Sequence, residues 1–99
     1  SEKRSEAAPS IPTFSEQGVP EMLAYSWYGL LAPAGTPDAI TEKLNKVINE
    51  SLASPEIQEK FRTEGAESRP MSAKAFGDLI EEHSQTWGKV IKSLNIRLD

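Results

Sequence analysis

The pattern of apolar and polar positions divides the chain into an aperiodic start, one dense apolar run and a series of amphipathic stretches. From Ala73 to about Leu94, the residues Phe76, Leu79, Ile80, His83, Trp87, Val90, Ile91 and Leu94 recur at i, i+3, i+4 spacing, which predicts a long helix of about six turns. Ser72 stands as its cap and Asn95 as its exit, so the element spans 72–95. Upstream, Ile40, Leu44, Val47, Ile48 and Leu52 form a second stripe, with Thr36 expected as N-cap, Pro37 at the first helical position and Asp38 at the positive end of the dipole. Glu42 and Lys46 are spaced to pair on its wet face. Ser54-Pro55-Glu56 repeats the same start signal, and a shorter helix carrying Ile57 and Phe61 is expected to stop at Gly65. Together these predict a helix pair over 36–64.

Met22 to Ala32, MLAYSWYGLLA, is rich in aromatic and bulky residues and bracketed by Pro20 and Pro33, which predicts a strand over 22–32. Leu23, Tyr25 and Trp27 fall on one face and Met22, Ser26, Tyr28 and Leu30 on the other. Both faces are largely apolar, as in inner strands covered on two sides, so the expected class is α/β with short strands plus three or four helices. Residues 1–21 read as a polar lead-in followed by one helical turn, in which Thr13 and Glu16 form a capping box and Gly18 provides the exit. Ala66 to Met71 reads as a connector with room for a short strand.

Ninety-nine residues give one unit, 1–99, of 37% hydrophobic and 26% charged composition. No apolar run approaches the ~18–20 residues of a membrane-crossing helix. A formal charge of −4 leaves no basic excess to neutralise a phosphate backbone, so no nucleic-acid partner is expected. With no cysteine and one histidine, thiolate and His-rich metal sites are excluded, and neither metal nor cofactor is expected. No charged-then-apolar leader opens the sequence.

Chemistry-bearing residues are few. His83 lies within an apolar stripe, where a partly buried structural histidine is the better reading than a general base. No serine sits in a G-x-S-x-G elbow, and Glu56, Glu59, Glu64, Glu67, Glu81 and Glu82 read as solvated faces, so no catalytic residue is assigned. Pro33-Ala34-Gly35-Thr36-Pro37 could cradle an anion, but it lacks the glycines of a phosphate loop and reads first as strand-to-helix punctuation. Trp27 and Tyr28 are adjacent in an extended segment and so point to opposite sides. Core is the default reading for both, although one of them could face a cleft.

The string Arg4-Ser5, Ile11-Pro12-Thr13, Glu16-Gln17-Gly18-Val19-Pro20, Ser26-Trp27-Tyr28-Gly29-Leu30 and Ala32-Pro33-Ala34-Gly35-Thr36-Pro37 resembles the C-terminal part of the tripartite tricarboxylate transporter solute receptors, the Bug family. The likeness continues through Leu44-Asn45, Leu52-Ala53-Ser54-Pro55-Glu56, Gly65-Ala66-Glu67 and Trp87-Gly88-Lys89-Val90-Ile91. One departure is Glu21-Met22, where the family usually has Gly and an aromatic.

The resemblance implies a non-enzymatic, periplasmic, bilobed Venus-flytrap receptor that binds small carboxylates and delivers them to membrane permease subunits. It implies that this chain is the C-terminal segment of such a receptor, with the segment bearing Ser26, Trp27 and Tyr28 forming part of the cleft wall. A segment cut from its packing partners is expected to self-associate. The alternative from another class is a free-standing small α/β protein-interaction module.

Overall fold

The computed structural model describes residues 1–98. Its regular elements are α1 (Asp38–Leu52), α2 (Pro55–Thr63) and α3 (Ala73–Ser93), and α1 packs against both of the others. Each helix begins and ends for a local chemical reason. The Ser54 hydroxyl accepts from Ile57 N–H at 3.3 Å and Pro55 opens α2, while the Ser72 hydroxyl accepts from Ala75 N–H at 3.1 Å to open α3. At the far ends Gly65 (φ +70°) and Asn95 (φ +52°) turn left-handed, with Ala66 N–H returning to Phe61 O and Ile96 N–H to Ile91 O.

The start of α1 differs from expectation. Pro37 is the cap residue, without a side-chain bond, and the helix begins at Asp38. The Thr36 hydroxyl donates instead to Pro33 O at 2.8 Å, and Thr36 N–H bonds the same carbonyl at 3.2 Å. Gly35, at φ +85°, occupies the third position of that tight turn, where a positive φ is required. The proline lacks a hydroxyl to offer the helix, and the threonine's is spent on the turn. Glu42 and Lys46 are not among the ion pairs of the described residues; on an exposed helix face such a pair gains little over water.

The strand over 22–32 does not form, nor does one over 66–71: no described residue is in a strand. Between Leu23 and Ala32 no backbone N–H or C=O is hydrogen-bonded to another part of the backbone among the described residues. The segment is extended, as its proline brackets and aromatic content dictate, yet no described residue supplies a second edge for it to pair with. The α/β class therefore reduces, in this chain, to three helices and an unpaired extended arm. After Pro20, Met22 N–H closes a turn on Val19 O at 3.1 Å with no positive φ at Glu21, so the glutamate is accommodated where the family usually has glycine.

Around Thr13 the single turn is built as expected. Thr13 N–H donates to Glu16 Oε2 at 2.9 Å, Glu16 N–H returns to Thr13 Oγ1 at 3.2 Å, and Val19 N–H reaches Phe14 O past Gly18 at φ +84°.

The packing is open. A compact chain of this mass would expose about 5,600 Å² and have a radius of gyration of about 13 Å. The observed values are 8568 Å² and 16.6 Å, and no hydrophobic side chain is buried among the described residues. The apolar stripes of α1 and α3 therefore meet along part of their width only: Ile40, Leu44, Val47, Ile91 and Leu94 stay exposed.

Candidate functional site

The extended arm carries Ser26, Trp27 and Tyr28, and its alternation sorts them as the sequence requires. Trp27 turns toward α3. Its indole N–H donates to His83 Nδ1 at 3.2 Å, and its ring meets Phe76 edge-on at 5.4 Å between centroids and 86° between planes. The His83 ring lies 6.1 Å away in the same edge-on manner. Gly29 makes this docking possible by its lack of a side chain: a Cβ there would stand 2.2 Å from Phe76 Cζ. Tyr28 points the other way and is 98% exposed, and Ser26 is exposed too. The structure thus does not gather the three residues into one wall. It uses Trp27 as an anchor and leaves Ser26 and Tyr28 outward.

His83 is occupied by this anchor. Accepting at Nδ1 places the neutral ring's proton on Nε2, and no serine hydroxyl bonds either nitrogen among the described residues. No group of three His, Cys, Asp or Glu residues able to hold a metal occurs among the described residues.

Two further contacts fix the arm's surroundings. The Arg69 guanidinium stacks over the Tyr25 ring at 4.8 Å, on the Trp27 side of the arm, and Tyr25 Oη accepts from Glu2 N–H at 2.8 Å. The Asn45 and Asn49 amides both donate to Met71 O, at 2.9 and 3.0 Å, and tie the connector to α1 ahead of α3. Neither pair was singled out by the sequence pattern. The asparagines left a signal, since two poor helix formers one turn apart inside a helix need a reason; Arg69 left none. Two shallow hollows, one bounded by Ser5, Arg62 and Glu67 and the other by Glu2, Pro20 and Leu23, do not include Ser26, Trp27 or Tyr28.

Residues 1–96 match the family described as tripartite tricarboxylate transporter family receptor, and the chain belongs to that family. The family is one of solute-binding receptors, not enzymes. Among similar proteins, BugT of Bordetella pertussis is 34% identical over 98 residues, which make up 99% of the chain and 30% of BugT. A protein of the tcbD-tcbE intergenic region of a Pseudomonas species is 32% identical over 84 residues, 84% of the chain and 25% of that protein. A third, from the clcB-clcD intergenic region of Pseudomonas knackmussii, is 31% identical over 84% of the chain and 50% of its own length. The chain therefore spans 30% and 25% of the first two relatives.

Proposed function

We propose that these residues are the C-terminal part of an extracytoplasmic solute receptor that captures small carboxylates in the periplasm and hands them to the membrane permease subunits of a tripartite transporter. The observation that carries this reading is the family match over residues 1–96 in a chain spanning 30% of BugT. The absence of a buried apolar core supports it as well, because a piece of a two-lobed protein leaves its seams open. In the bilobed receptor the arm at 22–32 crosses between lobes, held to α3 by Trp27, and Ser26 and Tyr28 line the cleft. Closure about the hinge then encloses the solute.

The test is a titration of the intact receptor with succinate, malate and citrate, followed by tryptophan fluorescence. A saturable change is expected with at least one of them, and Tyr28→Ala should weaken it while Trp27→Phe dims the signal. A receptor that responds to none of the three acids would sink the carboxylate reading. The 99-residue chain alone is expected to bind none, since it holds only part of the cleft.

A further inference from the structure

The contact that seats the arm on α3 has a chemical asymmetry. The Trp27 indole N–H is a donor in every protonation state of its surroundings, whereas His83 Nδ1 accepts it, at 3.2 Å, only while the imidazole is neutral. Histidine is the side chain whose ordinary titration falls between about pH 5 and 8, and once charged it carries a proton on both nitrogens. The indole N–H then faces another N–H. The ring geometry offers no attraction in exchange: the planes stand 82° apart with centroids 6.1 Å apart, and the bond joins the N–H edge of the indole to the nitrogen edge of the imidazole. A charged ring so placed meets the positive edge of the indole and not its negative face.

No ion pair among the described residues holds the charged form of His83. On α3 the positions one turn away, Leu79, Ile80, Thr86 and Trp87, are uncharged; Glu82 adjoins His83 in the chain, Glu81 accepts from Gln85, and Asp78 pairs with Lys74. The arm contributes Tyr25 on the Trp27 side, and over its ring lies the Arg69 guanidinium, a cation that adds to an imidazolium and does not offset it. Helix α1, packed on α3, carries Asp38, Glu42, Lys43, Lys46 and Glu50, none of them bonded to His83.

We infer that the Trp27–His83 hydrogen bond is a proton-operated latch: neutral His83 positions the arm through Trp27, and protonation of His83 releases the arm from α3. Apart from this bond the seat consists of the edge-on contact with Phe76 and the close approach at Gly29, and Trp27 is 39% exposed, so solvent can take the freed N–H. Ser26 and Tyr28 ride on the same backbone, and their presentation follows the latch. That consequence alone rests on the receptor reading; the latch itself needs no solute.

Proton NMR of the 99-residue chain, without any solute, from pH 8 to pH 5 tests the latch. Cross-relaxation between the Trp27 and Phe76 rings reports docking, and the His83 ring protons report its protonation. The ratio of docked to released arm should fall by on the order of tenfold, as the loss of one hydrogen bond allows, with the midpoint of the His83 titration. His83→Asn, whose side-chain oxygen can accept in place of Nδ1 without titrating, should keep the arm docked throughout. His83→Leu, with no acceptor, should weaken docking equally at both ends of the range. The Glu16 carboxyl, held down to about 2, stays ionised across this window and does not contribute. A Trp27–Phe76 contact that persists while His83 is protonated, or one already absent at pH 8, would overturn the inference. So would a release that survives in His83→Asn, which would assign it to a carboxylate. None of these results bears on carboxylate binding by the intact receptor, so the two proposals stand or fall separately.

Discussion

Glu16 and Arg4 form the most heavily bonded pair of side chains in the lead-in. Arg4 donates to the Glu16 carboxylate through Nε at 2.9 and 3.0 Å and through Nη2 at 2.7 Å, while Thr13 N–H bonds Oε2. Arg4 also donates to Pro9 O at 3.1 Å, so a single guanidinium ties the first residues to the turn that follows. Hydrogen bonds from Arg4 first and from Thr13 second hold the Glu16 carboxyl down to about 2, and its proximity raises Arg4 in turn. Because the folded value is depressed, the clasp is fully present above the ordinary carboxylate value of 4.5 and is lost as pH falls through about 2. A carboxyl-carbon NMR titration should show Glu16 ionised down to that point, and Arg4→Ala should move its midpoint up toward the ordinary value. A wild-type midpoint already at the ordinary value would mean that the clasp does not hold in solution. At Met71 the same logic acts without charge: two amides saturate both lone pairs of one carbonyl.

Each helix carries its stability partly in its ends and partly in a face that is only half covered. Gly77 and Gly88 lie inside α3, and a Cβ at either would meet nothing within 4 Å. Two glycines inside a helix would be explained by a close packing partner, and among the described residues none stands there. Gly77→Ala and Gly88→Ala should therefore each stabilise the chain by about 1 kcal/mol in thermal or denaturant unfolding, because the glycine's backbone entropy is no longer lost on forming the helix. A loss of stability would show that a neighbour occupies that space. The ends of α2 and α3 were legible in the sequence because their determinants are local: Ser54, Ser72, Gly65 and Asn95 act within a few residues of themselves. The capping box at Thr13 and Glu16 was readable for the same reason. The strand was misread because pairing is not a local property. MLAYSWYGLLA has the composition of a strand and takes the extended backbone of one, but a ladder needs a second edge at about 4.8 Å, and the segment's own sequence cannot say whether one is present. Of the candidate site, the opposition of Trp27 and Tyr28 followed from alternation alone. The partners of Trp27, Phe76 and His83, lie 49 and 56 residues away and become visible only in three dimensions.

At the scale of the molecule, the dimensions of 44 × 36 × 25 Å describe helices around a partial seam rather than around a core. Thr13, at 8% exposure, is the one buried residue among those described. The lean 37% hydrophobic content already pointed this way, and the exposed stripes of α1 and α3 show where covering surface is lacking. The arm joins two unequal parts: the lead-in closed by Arg4 and Glu16, and the helices that follow Thr36. Since ten residues between them lie extended without a backbone hydrogen bond, they already have the shape a protease must impose on its substrate. The chain treated with chymotrypsin should be nicked first after Tyr28, Leu30 or Leu31, giving an N-terminal peptide and a three-helix remainder. Cutting first within α1 or α3 would mean that the helices, not the arm, are the least protected part of the chain. The same ten residues that await an edge are thus its point of entry for degradation, and whatever covers them sets the lifetime of the polypeptide.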